Sequence, residues 1–237
     1  IINYEHPAYN YYTSKRFSDL FYPNYLITFG TMALREIQSS SFIEDGRVLS
    51  CGHPYLDFIS EGLFFDSQEV KHKGIVGVTL QWTDEDVVIP FINRVAELQP
   101  NITFILIPRI PNLEKYNALL LPANVHIERN LDFYSLLKGA IDIHCTTYST
   151  CALEAPYMGI PNILIDFDKM ATRYFAKVLP PSSYDIYVRT ETEFIAAIKK
   201  LATYSPLAVR NGIKDLYSFS YKENLDKILA QVLRGSS

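Results

Sequence analysis

Hydroxyl side chains crowd one short segment of the sequence, where an apolar run gives way to a predicted helix. Thr146, Thr147, Ser149 and Thr150 follow the strand-like run IDIHC and precede the helix-like run CALEA. The first amides of a helix are unpaired and its dipole favours negative charge, so this pattern predicts a cradle for an anion such as phosphate. The spacing leaves a second interpretation open, in which the hydroxyl groups only cap the helix.

A parallel sheet is the element that would position this turn. From about residue 75 onward, β-branched runs alternate with amphipathic segments, which predicts βα units and a sheet with helices on both faces. The predicted strands include 74–80, 102–107, 125–128 and 185–188. We further predict that Asp84 caps the helix after the first of them and that another helix covers 113–121. Open α/β folds bind ligands at the carboxyl ends of such strands.

The segment TTYSTCALEAPYMGIPNILID resembles the donor-side signature of GT-B glycosyltransferases. It also resembles two related groups, the non-hydrolysing UDP-N-acetylglucosamine 2-epimerases and the CDP-glycerol glycerophosphotransferases. The resemblance implies that Thr146, Thr147 and Ser149 contact the diphosphate of a nucleotide-sugar and that Glu154 holds its ribose hydroxyls. Pro156 departs from the family pattern, and it predicts that the helix ends or kinks early because proline lacks the amide hydrogen.

Two segments near the start of the chain carry the same resemblance. The region from Phe21 to Phe58, which ends in RVLSCGHPYLDF, resembles the close of the first GT-B domain. The run INYEHPAYNYY, followed by YPNYLITFG, resembles capsule and surface-polysaccharide transferases. Inverting GT-B enzymes take their general base from the first domain, so the resemblance makes His6 the catalytic candidate.

Further donor-binding candidates follow two of the predicted strands. Gln81 and Trp82 come directly after the first strand of the second domain, and Arg109 follows the strand FILI. In the resembling families these loops face the donor phosphates, which Arg109 would bind through its guanidinium. The competing interpretations are that Trp82 serves packing and that Arg109 is a solvated loop cation.

The resemblance implies an α/β fold of the GT-B type with two domains. We expect residues 69–237 to form a doubly wound, Rossmann-like donor-binding domain, and residues 1–68 to be a truncated remnant of a first Rossmann-like domain. The remnant holds two clear strand signals, at 25–29 and 47–50. We expect the final helix, near 223–233, to cross back to the first domain. Strands without neighbours would expose apolar surface and favour self-association.

Composition narrows the classes of partner. The 237 residues carry a net charge of −4, with 48% hydrophobic and 20% charged residues, as in an ordinary globular protein. The absence of a basic run argues against nucleic acid, and no apolar segment has the length of a membrane span. The 3 cysteines lack CxxC spacing, and no metal-ligand spacing occurs. We therefore expect a cytoplasmic protein, with a peripheral place at the inner membrane face left open, and no bound metal or cofactor.

Together these observations predict a glycosyltransferase that moves a sugar from a nucleotide-sugar donor to a hydroxyl of a glycan or lipid-linked acceptor. Synthesis of bacterial surface or capsular polysaccharide is the expected setting. One alternative is a sugar-nucleotide 2-epimerase, although such an enzyme is expected to have a His-Arg pair where Gln81 and Trp82 stand. The other is a non-catalytic nucleotide-binding or assembly module.

Overall fold

The computed structural model of the chain describes residues 25–40, 46–63, 65, 70–71, 73–109, 114–129 and 132–234. They divide into two compact units, each described by itself. The described residues of the first unit lie within 25–61 and 213–234, and those of the second lie within 62–212.

Short strands and helices make up both units. The strands are β1 (Leu26–Thr28), β2 (Val48–Ser50), β3 (Val70–Lys71), β4 (Ile75–Thr79), β5 (Thr103–Ile107), β6 (Val125–Ile127), β7 (Ile143–Thr146), β8 (Asn162–Ile165), β9 (Asp185–Val188) and β10 (Thr203–Tyr204). The α-helices are α1 (Thr31–Ser40), α2 (Pro54–Ile59), α3 (Glu85–Leu98), α4 (Glu114–Asn117), α5 (Phe133–Leu137), α6 (Cys151–Glu154), α7 (Met170–Phe175), α8 (Glu191–Lys200), α9 (Pro206–Gly212) and α10 (Tyr221–Arg234).

A six-stranded parallel sheet forms the centre of the second unit. Its strand order is β6-β5-β4-β7-β8-β9, and each strand pairs in parallel with its neighbours. Chain order therefore runs outward from β4 to β6 and then resumes at β7 on the other side of β4. This is the order of a doubly wound fold, and the reversal between β4 and β7 creates a crevice at the carboxyl ends of those strands. The α/β fold with a Rossmann-like sheet that the sequence predicts is confirmed.

The apolar patterning explains which faces are buried. All four residues of β7 and of β8 are buried, as expected for central parallel strands covered on both faces. Helix α3 buries Val88, Ile92 and Val95 against the sheet. Its apolar residues Val87 and Leu98 are exposed, so the buried stripe is narrower than the sequence periodicity indicates.

Two local predictions are wrong. The Asp84 carboxylate makes no capping bond to α3, because it is hydrogen-bonded elsewhere. The helix predicted over 113–121 covers Glu114–Asn117 in the described residues, and 119–121 are loop, where Leu120 is 97% exposed. Helix α8 ends at Lys200, and β10 then pairs with β3 in antiparallel fashion.

The first unit contains a parallel pair of strands. β1 and β2 pair in register from Leu26 with Val48, and α1 connects them. The structure also assigns α10 to this unit, where the Tyr221 amide donates to Asp57 Oδ2 at 2.9 Å. Gly30 permits a close approach of the segment before α10, since a Cβ there would lie 2.1 Å from the Leu216 carbonyl oxygen. Among the described residues, no helix is long and apolar enough to cross a membrane.

Candidate functional site

A cleft opens where the strand order of the large sheet reverses. Its volume is ≈ 420 Å³, which lies within the range of pockets that hold small-molecule ligands. The carboxyl ends of β4, β5 and β7 and the start of α5 supply its walls. The lining residues are Thr79, Leu80, Gln81, Ile107, Pro108, Arg109, Asp132, Phe133, Tyr148, Ser149, Thr150 and Cys151.

The first two hydroxyls of the turn after β7 are engaged within the protein. Thr146 is fully buried, and its hydroxyl donates to the Thr79 carbonyl oxygen at 3.0 Å. Thr147 is 3% exposed, and its hydroxyl donates to Asp84 Oδ2. Neither residue lines the cleft. These two side chains hold the turn against β4 and the loop that follows it.

The next two hydroxyls line the cleft. Ser149 lines the cleft, where its Oγ accepts from the Cys151 amide at 3.4 Å and its hydroxyl also hydrogen-bonds the Cys151 side chain. Thr150 precedes α6 and makes no side-chain capping bond. Neither its amide nor its hydroxyl has an acceptor among the residues that the structure describes. The sequence predicts Thr150 as part of the anion cradle but not as a contact of the diphosphate. Its position directly before a helix could have indicated this role, because backbone amides at the start of a helix lack an acceptor within the helix.

Gln81 and Arg109 lie together on the facing wall. Gln81 is 5% exposed, and its Oε1 accepts from Arg109 Nη1 at 2.9 Å. This bond fixes the guanidinium, whose other N–H groups have no acceptor in the described ranges. Both residues line the cleft.

Asp84 connects two of the loops that form the cleft, a role that the sequence did not predict. Its carboxylate accepts from the Gln81 amide at 3.2 Å through one oxygen and from the Thr147 hydroxyl through the other. Burial raises the pKa of Asp84, and the hydrogen bonds from Thr147 and Gln81 oppose that rise. The carboxylate therefore ties the loop after β4 to the turn after β7, and these two loops form opposite sides of the crevice.

The remaining predicted residues lie in different positions. Trp82 is 69% exposed and does not line the cleft. Glu154 is half-buried on α6 and accepts a hydrogen bond from the Tyr134 side chain of α5. Burial raises its pKa, whereas that hydrogen bond lowers it. Glu154 lies outside the cleft lining, although Cys151 on the same helix and Phe133 next to Tyr134 are part of it. His6 lies outside the described residues.

Pro156 limits the helix that carries Glu154. Helix α6 ends at Glu154, and a 3₁₀ segment follows from Pro156 to Met158. The early end that the proline predicts is confirmed. Because α6 is only 4 residues long, its dipole is small, and attraction for an anion at this site depends chiefly on Arg109 and on individual donors.

Two groups near the cleft are unsuited to proton or nucleophilic chemistry near neutral pH. Burial, and to a smaller extent the charge of Glu154, raises the pKa of Cys151 to about 12, so the thiol stays protonated. Burial lowers the pKa of His144 to about 4, so the imidazole is neutral inside the sheet. No group of three or more His, Cys, Asp or Glu side chains that could hold a metal ion occurs in the described part of the chain. Among its described lining residues, the cleft offers a ligand hydrogen-bond donors, the Arg109 guanidinium and, at the start of α5, the Asp132 carboxylate.

No protein-family model and no curated protein matches the sequence. Solved structures do match. UDP-GlcNAc 2-epimerase from Neisseria meningitidis, bound to UDP-GlcNAc, aligns over 89% of this chain and 61% of its own, with a TM-score of 0.55 and 13% identity. The calicheamicin glycosyltransferase CalG4 aligns over 90% and 53%, with a TM-score of 0.55 and 16% identity.

The wall teichoic acid polymerase TagF is a third similar structure. It aligns over 97% of this chain and 59% of its own, with a TM-score of 0.51 and 18% identity. The chain thus spans less than two thirds of each of these three proteins. At such identities the likeness concerns architecture, and it agrees with the strand order of the large sheet. The chain has the GT-B-like fold that its sequence predicts.

Proposed function

We propose that this chain binds a nucleotide-sugar in the cleft and belongs to a glycosyltransferase of the GT-B type. The reaction is transfer of the sugar to a hydroxyl group of a glycan or lipid-linked acceptor, and synthesis of a bacterial surface or capsular polysaccharide is the setting. The nucleotide-sugar is a substrate, and the proposal includes no metal or other cofactor.

One observation carries the proposal, namely the set of unused donors at the strand reversal. Arg109, fixed by Gln81, presents its guanidinium to the cleft, and Thr150 presents an amide and a hydroxyl without acceptors among the described residues. Polar hydrogens of this kind rarely stay unpaired unless water or a ligand accepts them. A diphosphate has the charge and the oxygen atoms to accept from both residues, and Ser149, which also lines the cleft, stays a proposed third contact.

The same donors suit the chemistry of a departing diphosphate. When an acceptor oxygen attacks the anomeric carbon, the bond from that carbon to the diphosphate oxygen breaks, and negative charge increases on the diphosphate. Arg109, Thr150 and Ser149 would stabilise that charge through hydrogen bonds that are already oriented. The acceptor hydroxyl gives its proton to a general base, for which His6 stays the proposed residue.

Glu154 stays the proposed ribose ligand. A carboxylate can accept from two neighbouring hydroxyl groups, and the Tyr134 hydrogen bond leaves acceptor capacity on Glu154. Since Glu154 lies beside α5, this role puts the nucleoside toward Asp132 and Phe133 at that end of the cleft. Thr146, Thr147 and Asp84 act as positioning residues in the proposal.

Product analysis tests the proposed reaction. The chain is incubated with UDP-, GDP- and CMP-sugars in the presence of glycan acceptors, and the products are followed by mass spectrometry. Transfer predicts a glycan heavier by one sugar residue together with free nucleotide. Release of a 2-epimer with no gain in acceptor mass would instead identify the alternative activity, which the similar epimerase fold keeps open. Binding of nucleotide without any product after prolonged incubation would refute catalysis by this chain.

A further inference from the structure

Two tyrosine rings form a stacked pair at the rim of the cleft. Tyr148 lies in the turn after β7, and Tyr174 lies on α7, which follows the neighbouring strand β8. Their ring centroids are 5.3 Å apart, and the planes differ by 23°. Tyr148 lines the cleft, and Tyr174 is 58% exposed. The pair thus extends the wall of the cleft as an aromatic surface that is open to solvent.

The pair is held in position from two sides. The Tyr148 hydroxyl hydrogen-bonds to the Thr83 hydroxyl in the loop after β4, while its ring rests on Tyr174. Thr83 is next to Asp84, whose carboxylate ties that loop to Thr147 in the turn before Tyr148. A ring fixed before the ligand arrives loses little conformational entropy on binding, which favours affinity.

Arg109 lies within electrostatic reach of Tyr148. Burial, Asp84 and Tyr174 raise the pKa of Tyr148, and Arg109 lowers it. Arg109 comes from the end of β5, whereas Tyr148 comes from the end of β7, so the two side chains face the cleft from opposite sides of β4. A diphosphate bound between Arg109 and Thr150 therefore has the aromatic pair next to it on the β8 side.

The inference rests on the proposed function, which orients the ligand. With the nucleoside beside α5 and Glu154, the group on the other end of the diphosphate points toward Tyr148 and Tyr174. In a nucleotide-sugar that group is a pyranose ring, which has a face of C–H groups and a rim of hydroxyls. The face of an aromatic ring is electron-rich and apolar, so it attracts such C–H groups and shields them from water.

We propose that the Tyr148–Tyr174 pair is the stacking surface for the pyranose ring of the nucleotide-sugar donor. The pair selects for a six-membered sugar ring with an accessible C–H face, and it contributes nothing to the binding of the free nucleoside diphosphate. Tyr174 supplies the exposed ring, and Tyr148 joins that ring to the anion-binding part of the cleft.

Substitution of Tyr174 tests the stacking surface. Dissociation constants of the whole chain are measured by calorimetry for matched pairs of ligands, such as UDP with UDP-glucose and UDP-GlcNAc, and GDP with GDP-mannose. Tyr174→Ala should weaken the sugar conjugates by roughly three- to tenfold, as expected for loss of one aromatic contact, and leave the diphosphates within about twofold. Tyr174→Phe keeps the ring and should bind both kinds of ligand like the unmodified chain. Melting curves confirm that the variants fold.

The outcomes separate this inference from the proposed function. If the chain binds a diphosphate but Tyr174→Ala binds the conjugate as tightly as before, the stacking surface is refuted and the cleft assignment stands. Equal losses for diphosphate and conjugate, or no binding of any conjugate by the unmodified chain, also refute it. If no nucleoside diphosphate binds at all, both proposals fail together.

Discussion

Two groups of polar side chains, one within the large sheet and one in the loops at the carboxyl ends of its strands, differ in whether their hydrogen bonds are complete. One is a buried chain of contacts across β4, β7, β8 and β9, formed by Thr79, His144, Asn162 and Asp185. The other is the donor set of the cleft, formed by Arg109 and Thr150. The first group has used its donors and acceptors within the fold, and the second has not.

The buried chain of contacts is complete enough to define the histidine tautomer. Asn162 Nδ2 donates to the Ala152 carbonyl and to Asp185 Oδ1, both at 2.8 Å. Its Oδ1 must therefore accept from His144 Nδ1–H, also at 2.8 Å. His144 Nε2 is then left to accept from the Thr79 hydroxyl at 2.9 Å. A network in which every member has a partner stabilises the fold and has nothing to offer a ligand.

The contrast shows why residue type alone does not locate a binding site. Thr146 and Thr150 are the same residue four positions apart, and one is buried against a strand carbonyl while the other faces the cleft with free donors. Whether a polar group is available to a ligand depends on which partners the fold has already supplied.

The largest effect should follow from breaking the buried network. Asn162→Ala removes three hydrogen bonds at once and takes away the partner of His144 Nδ1, of the Ala152 carbonyl and of Asp185 Oδ1. We expect the free energy of unfolding, measured by urea denaturation, to fall by about 3 kcal/mol or more. Nucleotide affinity of the folded fraction should hardly change. A loss below about 1 kcal/mol would show that the network relaxes or admits water.

Lowering the pH should destabilise the fold through the same network, because His144 then takes up a proton. Its folded pKa of about 4 lies below the ordinary value of 6.5, so the unfolded chain binds more protons between those values. The stabilisation is present above pH 6.5 and is lost as the pH falls toward 4, by about 3 kcal/mol in total. We expect a steeper loss of unfolding free energy over this range than in His144→Gln.

The comparison with His144→Gln isolates the contribution of the His144 imidazole to the pH dependence of the unfolding free energy. Burial raises the pKa values of Asp84, Glu154 and Asp185, and raised carboxyl values act in the opposite direction, adding stability as the pH falls. Those effects are common to both proteins. Parallel pH profiles would contradict a neutral buried histidine.

In the cleft, Arg109 should have the largest effect on binding. Arg109→Gln removes the only cation among the described residues that line the cleft, and we expect affinity for UDP or another bound diphosphate to fall roughly ten- to a hundredfold. The free energy of unfolding should stay within about 0.5 kcal/mol because the side chain is exposed. Arg94→Gln is the matched control, since Arg94 is an exposed cation that pairs with Glu191 and does not line the cleft. Equal effects of the two substitutions would argue against a specific anion site.

The smallest effects should come from the two threonines, and they should be opposite in kind. Thr150→Val should lower diphosphate affinity by roughly three- to tenfold with little change in stability, because its hydroxyl has no partner to lose among the described residues. Thr146→Val should lower the free energy of unfolding by about 1 kcal/mol and leave affinity intact. Calorimetry and urea denaturation on both variants measure the difference. The reverse pattern would make Thr146 the ligand.

Much of the fold can be predicted from the sequence, because the pattern of apolar residues along the chain indicates which segments form buried strands and helices. The runs IVGVT, TFILI and NILI form strands as predicted, and Pro156 ends its helix. The wrong predictions concern residues whose state depends on distant partners. Asp84 has the type and place of a helix cap, but Thr147 lies close enough in the fold to take its side chain instead.

The candidate site is readable only in outline for the same reason. Strand order brings Gln81, Arg109 and the turn after β7 together, and a chain that alternates strands and helices predicts such a meeting. The stack of Tyr148 on Tyr174 joins elements 26 positions apart and has no local signal. The sequence also does not indicate which hydroxyls of the turn are bonded within the protein, because the partner of Thr146 is the carbonyl of Thr79 on another strand.

A titration of the folded chain with nucleotides tests the central claim, that the free donors at the strand reversal hold a diphosphate. Backbone amide shifts are followed by NMR during addition of UDP, GDP and CDP, with UMP and inorganic phosphate as controls. We predict shifts concentrated at Gln81, Arg109, Ser149 and Thr150, diphosphate dissociation constants on the order of 0.1 to 1 mM, and weaker binding of UMP. Shifts confined to other loops, or equal affinity for UMP and UDP, would contradict the account.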